Sequence, residues 1–565
     1  MKTISNPYIV TALGCVGGLL FGFDIASMSA ILPTPNYKVY FNGGNDIPYQ
    51  QPNKPLGWVD SAGPASDVQG GITASMAGGS FLGAVISGMM TDKLGRRNSI
   101  FVSSIVFVIG SIITCAAQAI GMLVVGRLIC GIAIGIASAQ VPVYISELSP
   151  TKLRGRLVGC QQWAITWGIM IFYYVSLGCS YAGDQDGRST ITFRLPWGLQ
   201  MIPALFLMCM VPFMPRSPRW LASKGRYEEA RQVLALVHAN GDISSPLVIA
   251  ELKEIQDSIE AESGEGSGFT DLFKGKMLYR IHIGIFTQIW SQLTGMNVMM
   301  YYIGYVFQMA GVNDSAQAVV SSSIQYVINV VMTVPALIWI DKWGRRPTLL
   351  IGAALMATWL FINAGVMAQH GHLVTEAERH EYNLSQSVSW RVDPTSGKAV
   401  IAMSYLFVAS YAPTWGPVSW VYPPELFPTR LRGKANAIST CANWIFNFAL
   451  GYFVPPAFEN IQWKVYLIFG IFNVAMFIHV FFCFVETKGK TLEEIEEVFE
   501  ANVHAWQTRK LTERSRVEEM AAAIANGEKV ENLGHGGADS PSEHDVKSPG
   551  SEGSEKDLGV NTHVA

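Results

Sequence analysis

The sequence predicts an all-α membrane protein of twelve transmembrane helices in two six-helix pseudo-repeats, joined by short cytoplasmic helices. Composition and internal repetition carry that expectation. Half of the 565 residues are hydrophobic, only 15% are charged and the mean hydropathy is +0.26, whereas a soluble domain carries about 25% charge. The run Glu147-Leu148-Ser149-Pro150-Thr151-Lys152-Leu153-Arg154-Gly155 returns as Glu425-Leu426-Phe427-Pro428-Thr429-Arg430-Leu431-Arg432-Gly433. Likewise Asp92-Lys93-Leu94-Gly95-Arg96-Arg97 returns as Asp341-Lys342-Trp343-Gly344-Arg345-Arg346. The offsets, 278 and 249, differ by 29 residues, which a longer loop near 370–398 absorbs. Duplication about an axis along the membrane normal places a site between the two halves.

A spanning helix needs about 20 mostly apolar residues. Stretches near 8–32, 70–90, 99–118, 120–143, 156–178, 196–214, 280–308, 316–340, 347–369, 398–424, 434–455 and 463–485 meet that length. Two bundles therefore cover 1–214 and 280–486, with a linker at 215–279 and a tail at 487–565. Lys93, Arg96 and Arg97, then Lys152, Arg154 and Arg156, then Lys342, Arg345 and Arg346, and finally Arg430, Arg432 and Lys434 fall in alternate loops. The positive-inside rule makes those loops and both termini cytoplasmic, leaving 33–69 and 370–397 outside. No secretory cleavage pattern follows the first apolar stretch, so that span is expected to be retained.

The cysteines all lie in or at the ends of spans and suggest no disulfide framework. Outer sequons occur at Asn313 and Asn383. In the linker, Tyr227–Arg231 and Glu251–Ile255 read as short helices before a Gly/Ser break at 263–268. The tail opens on an acidic helical stretch at 492–497 and ends rich in Gly, Ser, Glu and Asp, a composition with little to bury.

Over roughly residues 8–490 the chain resembles the sugar porters of the major facilitator superfamily. The acidic-basic-Gly-Arg-Arg loops carry the fold; Arg216-Ser217-Pro218-Arg219-Trp220, Glu486-Thr487-Lys488-Gly489 and Gln292-Leu293-Thr294-Gly295-Met296-Asn297 carry the sugar specificity. The stretch from Thr287 to Tyr302, together with Thr414–Trp420, is most similar to fungal high-affinity glucose carriers. Three departures stand out: Ser291 where the family has a glutamine, Arg216 where it has Glu, and Val485 where it has Pro.

A hexose leaving water needs fixed partners for its hydroxyls, and carboxamides both donate and accept. Gln288 and Gln292 lie four apart on one helical face, as do Asn443 and Asn447. Asn297 leaves that face in a regular helix, and Gly295 allows the distortion that returns it. A lone intramembrane amide is ordinarily interhelical glue. The resemblance implies that Gln162, Gln288, Gln292, Asn297, Asn329, Trp420, Asn443 and Asn447 contact sugar, with Tyr301 and Tyr302 as an outer gate.

Asp24 stands among apolar and glycine residues deep in the first span, where a charge costs about 2.5–3.5 kcal/mol. At 1.5 Å per residue, Asp24 and its candidate partner Arg127 lie roughly 20 and 25 Å from the cytoplasmic ends of their helices. That depth suits a carboxyl that takes a proton outside and releases it inside, and the resemblance gives the matching acid this role. A permanent pair that only orders the two spans is the competing reading.

The loop charges Asp92, Arg96, Arg97, Glu147 and Arg154, with their counterparts Asp341, Arg345, Arg346, Glu425 and Arg432, are read as a cytoplasmic latch. Proton-coupled hexose import at the plasma membrane, with glucose first among substrates and the bilayer as medium, is the expected function of a monomer. A facilitative uniporter and a non-transporting sugar sensor are the alternatives. No nucleophile–base pair, metal cluster or phosphate loop stands out, so no enzyme activity, cofactor, metal or nucleic-acid partner is expected.

Overall fold

The computed structural model describes residues 4–31, 34–41, 66–181, 189–261, 268–312, 315–382, 388–492, 494–500, 504–511 and 516–526. The first span is Pro7–Ile31; the second and third run together as Ser66–Cys115 and break at Gly95, whose φ of 76° no helix accommodates. Ile120–Leu148 and Arg154–Tyr181 are the fourth and fifth, and Ile191–Leu199 with Met201–Met210 forms the sixth. The seventh is cut into Gly275–Leu293, Met296–Tyr301 and Ile303–Met309. Ser315–Trp343, Arg345–His370, Pro394–Tyr411 with Trp415–Glu425, Arg432–Asn460 and Lys464–Cys483 complete the second half.

Eight helices, one of them the joined second and third spans, are long and apolar enough to cross a membrane unaided. The fifth, seventh and tenth fall outside that set. They carry Gln161 and Gln162, Gln288, Gln292 and Asn297, and Gly416 with a run of prolines. Polar and helix-breaking residues at membrane depth are tolerated where protein covers them.

Small residues set the packing of the second span on the fourth. Gly79 and Gly83 meet Gly131 and Gly135 so closely that an added Cβ would lie 2.1–2.2 Å from a facing carbonyl oxygen. This is the four-residue spacing by which membrane helices bring backbones together. Between the halves the second span packs on the eleventh and the fifth on the eighth, the pairing a pseudo-two-fold demands.

Two regions are more ordered than their composition suggests. The 370–397 segment, expected as a plain loop, holds a hairpin of Gly371–Leu373 and Trp390–Val392 flanking a helix at Glu376–Glu381. Three-residue strands are too short to show periodicity; the helix start is fixed by a Thr375–Glu378 capping box. The tail also folds further than expected, as Arg516–Ala525 lays Val517 and Met520 against Ala250 of the linker helix Pro246–Ala261. Its apolar face is covered by the linker and not by a core of its own. Asn313 and Asn383 lie outside the described residues, as do most of the 33–69 segment and the tail beyond Asn526.

Candidate functional site

Gly295 decides the shape of the centre. Its φ of 93° stops the seventh span at Leu293 and restarts it at Met296. The break turns Asn297 back so that its Nδ2 donates to Gln292 Oε1. The same oxygen accepts from Asn447 Nδ2 at 3.3 Å, while Gln292 Nε2 donates to Asn443 Oδ1 at 2.6 Å. Gln292 is therefore a hub joining the seventh and eleventh spans. Tyr301 reaches the same network through Asn447, and the Tyr302 hydroxyl donates to the Gly451 carbonyl at 2.6 Å.

Across from the hub, Trp420 Nε1 donates to Gln162 Oε1 at 3.0 Å, linking the tenth span to the fifth. Gln288 Nε2 donates to the Ser419 carbonyl at 2.8 Å. Except for the half-buried Asn297, the eight candidate sugar-contacting residues are at most 8% exposed. Gln288 Oε1, Asn329 Oδ1 and Asn443 Nδ2 are buried with no partner among the described residues. Each such atom costs about 1–3 kcal/mol unless a ligand satisfies it, and together they offer acceptors and a donor. Asn329 joins no amide of the hub.

Two aromatic residues were missed. Phe21 stands edge-on to both Trp420 and Trp444, with centroids 6.4 and 4.9 Å away. Trp444, fully buried, donates to Ser138 Oγ at 3.1 Å and so ties the halves. Phe21 lies one helical turn before Asp24, which was its only signal in the sequence.

Arg127 and Asp24 meet at 3.4 Å, 1% and 2% exposed. Arg127 is held further by Ser27 Oγ at 3.1 Å and the Ile72 carbonyl at 3.0 Å. The acid thus lies where the first, second and fourth spans converge.

On the repeated-loop side, the shorter buried arginine–glutamate ion pairs close within each half. Arg96 meets Glu147 at 2.9 Å and Arg345 meets Glu425 at 2.6 Å. The repeat extends to hydroxyls: Ser217 donates to Glu147 at 2.5 Å and Thr487 to Glu425 at 2.7 Å. Contacts between halves are more varied. Arg432 lies 3.7 Å from Glu147, and Asp341 accepts from the backbone N–H groups of Gly155 and Arg156 at 3.0 and 2.9 Å. Arg154 donates to the Lys490 carbonyl at 3.2 Å. Asp92 pairs with Lys434 at 2.7 Å, a cation outside the set read from sequence. Arg97 and Arg346 donate to the carbonyls of Met214 and Phe481.

The model of the family described as sugar (and other) transporter matches residues 10–499. A glucose transporter of the major facilitator superfamily from Aspergillus flavus is 44% identical over 93% of this chain and 96% of its own. A high-affinity glucose transporter from Kluyveromyces lactis is 46% identical over 89% of this chain and 87% of its own. Among solved structures, the proton:xylose symporter XylE bound to 6-bromo-6-deoxy-D-glucose superposes with a TM-score of 0.73 at 29% identity, covering 87% of this chain and 99% of that one. For the inward open conformation of XylE from E. coli the score is 0.61, at 27% identity and the same coverages. The protein is a multi-pass member of the major facilitator superfamily's sugar transporter family.

Proposed function

We propose that the protein imports a hexose, glucose first, across the plasma membrane by alternating access between its halves, with proton entry as the driving force and both termini in the cytoplasm. The buried amide hub at Gln292 supports this reading most directly. It includes the unpartnered Asn443 Nδ2, with the unpartnered Gln288 Oε1 one turn away on the seventh span, and the first, tenth and eleventh spans contribute an aromatic wall of Phe21, Trp420 and Trp444. Amides take the hydroxyls of a pyranose and indoles its apolar face. The glucose-transporter names of the relatives support the substrate.

Proton coupling rests on Asp24. Buried away from the cytoplasmic ends of its helix, it has one cation for a partner. When Arg127 swings toward another acceptor the carboxyl takes a proton; when Arg127 returns, the proton leaves. A second reading, facilitative uniport, is favoured by the same residues: Arg127 makes three contacts with the first and second spans, enough for a permanent strut.

Labelled glucose uptake in a yeast lacking its own hexose transporters separates the two. Symport predicts accumulation above the external level that a protonophore abolishes. It further predicts that Asp24→Asn, which keeps the shape and cannot titrate, loses accumulation but retains exchange. Equilibration without accumulation in the wild type leaves uniport; no uptake at equal surface abundance rejects transport of glucose.

A further inference from the structure

The seventh span is broken twice. At Gly295 the Val298 N–H, which would reach back to Thr294 in an unbroken helix, donates instead to the Gly295 carbonyl at 3.1 Å. The short helix Met296–Tyr301 then closes with the Tyr302 N–H on the Val298 carbonyl at 3.1 Å. The next turn starts afresh from the Tyr302 carbonyl, which accepts from Tyr305 and Val306 at 2.9 and 3.2 Å. Carbonyls at such helix ends have no partner within the helix, and inside a bilayer the protein has to supply one.

Two amides outside the hub do so. On the twelfth span, Asn473 Nδ2 donates to the Thr294 carbonyl at 3.0 Å and to the Phe469 carbonyl, one turn back on its own helix, at 2.7 Å. On the eighth, Gln325 Nε2 donates to the Met299 carbonyl at 2.6 Å, and the neighbouring Tyr326 hydroxyl to the Met300 carbonyl at 3.3 Å. Asn473 and Gln325 are fully buried, and their own oxygens, Asn473 Oδ1 and Gln325 Oε1, have no partner among the described residues. Each amide thus tolerates an unmatched buried acceptor for the sake of a bond to the seventh span. Held between the two breaks are Asn297, turned onto Gln292, and Tyr301, linked to Asn447. Gly295 permits the turn, but a glycine at positive φ gives freedom and not a fixed direction. A bond at each end of the short helix gives the direction.

We propose, resting on the hexose-transport reading above, that Asn473 and Gln325 are positioning residues for the sugar site, clamping Met296–Tyr301 from the twelfth and eighth spans so that Asn297 and Tyr301 stay fixed against the amide hub. Both act through the backbone of the seventh span.

Asn473→Leu and Gln325→Met remove the donors and nearly conserve volume. In labelled glucose uptake by a yeast lacking its own hexose transporters, each should raise KM about tenfold, the effect of one misplaced sugar hydrogen bond. Vmax per transporter at the surface should stay within about twofold, since the loss is of binding in the ground state. Asn473→Ser separates the bond across spans from the one within the twelfth: a serine hydroxyl still reaches the carbonyl one turn back but falls short of Thr294, so its KM should rise as in Asn473→Leu. Tryptophan quenching by glucose on the purified full-length protein repeats the affinity comparison, and the melting temperature reports folding. If Asn473→Leu does not reach the surface, Asn473→Ser and Gln325→Met carry the test. A lower melting temperature with KM and quenching affinity unchanged shows that the amides serve packing alone and overturns the proposal, as does a wild-type KM in Asn473→Ser. Wild-type protein that neither takes up nor binds glucose rejects the transport reading itself, and the role of the clamp falls with it.

Discussion

Gln292 is the residue whose loss should be felt most widely. Its side chain contacts Asn443, Asn447 and Asn297, so Gln292→Ala takes a partner from two buried amides and one half-buried one, as well as removing a proposed sugar contact. A stranded buried group costs about 1–3 kcal/mol, and the expected outcome is glucose affinity weaker by tenfold or more. Uptake KM and tryptophan quenching on purified protein check this; unchanged affinity at normal surface abundance removes Gln292 from the site. Ser291 tempers a family-based count of sugar contacts, because its hydroxyl reaches Tyr411. The seventh-span amides were legible in sequence because four-residue spacing puts Gln288 and Gln292 on one face whatever the tertiary fold. Phe21 and Trp444 were not. An aromatic in an apolar span carries no mark that separates a site wall from ordinary packing, and only the approach of the first span to the tenth and eleventh distinguishes them.

Among elements, the seventh span depends on a single backbone torsion. Gly295→Ala forces a Cβ into a positive-φ position and to within 3.1 Å of the Phe469 ring, at a cost of about 1–2 kcal/mol. A lower melting temperature together with a raised glucose KM is expected, since Asn297 depends on the turn. A melting temperature that falls with KM unchanged would show that the turn serves folding alone. The linker offers an element whose hold depends on pH. His238, ending the helix Tyr227–His238, faces two acceptors, Glu251 at 2.6 Å and the Leu148 carbonyl at 3.0 Å, with Arg219 the cation nearby. Burial pulls the imidazole pKa down, but the hydrogen bond and charge of Glu251 and the Leu148 carbonyl outweigh it, so the pKa is raised. Only the doubly protonated ring donates to both acceptors. A raised folded-state pKa gives stability that is full below the unfolded value of about 6.5 and is lost as pH rises through the folded value. The melting temperature of the wild type should therefore fall more steeply between mildly acidic and mildly alkaline pH than that of His238→Gln; parallel curves would show that the ring does not titrate with folding. The twelve spans were legible because membrane length and apolarity are coarse signals, even where Gly295 or the tenth-span prolines interrupt them. The Gly371–Val392 hairpin and the docking of Arg516–Ala525 depend on partners remote in sequence, and short elements leave no period to read.

At the scale of the whole molecule, alternating access requires contacts that exist in one state and vanish in the other, because only differential interactions shift an equilibrium. The pairs Arg96–Glu147 and Arg345–Glu425 lie within single halves, so they survive a rocking motion and stiffen each half without choosing a state. The contacts that must break are Arg432 on Glu147, Asp341 on the backbone of Gly155 and Arg156, and Lys434 on Asp92. Asp92 is 40% exposed, so screening leaves its pair little weight. Glu147 and Arg432, both fully buried, are better placed to bias the balance. Glu147→Gln retains shape and removes the charge that Arg432 approaches; at 3.7 Å that attraction is about 4 kcal/mol at an effective dielectric of about 20, offset in large part by the desolvation of two buried charges, which leaves a net bias of about 1.4 kcal/mol. The inward-open population should then grow roughly tenfold. Spin labels at the exposed Lys152 and Lys342, on a cysteine-free background, sit on opposite halves at the repeated loops. Pulsed EPR should show a longer-distance population in Glu147→Gln that is minor in the wild type. Identical distance distributions would mean that Glu147 serves its own half through Arg96 and Ser217, and that the hold between halves lies with the other contacts, Asp341 on Gly155 and Arg156 among them.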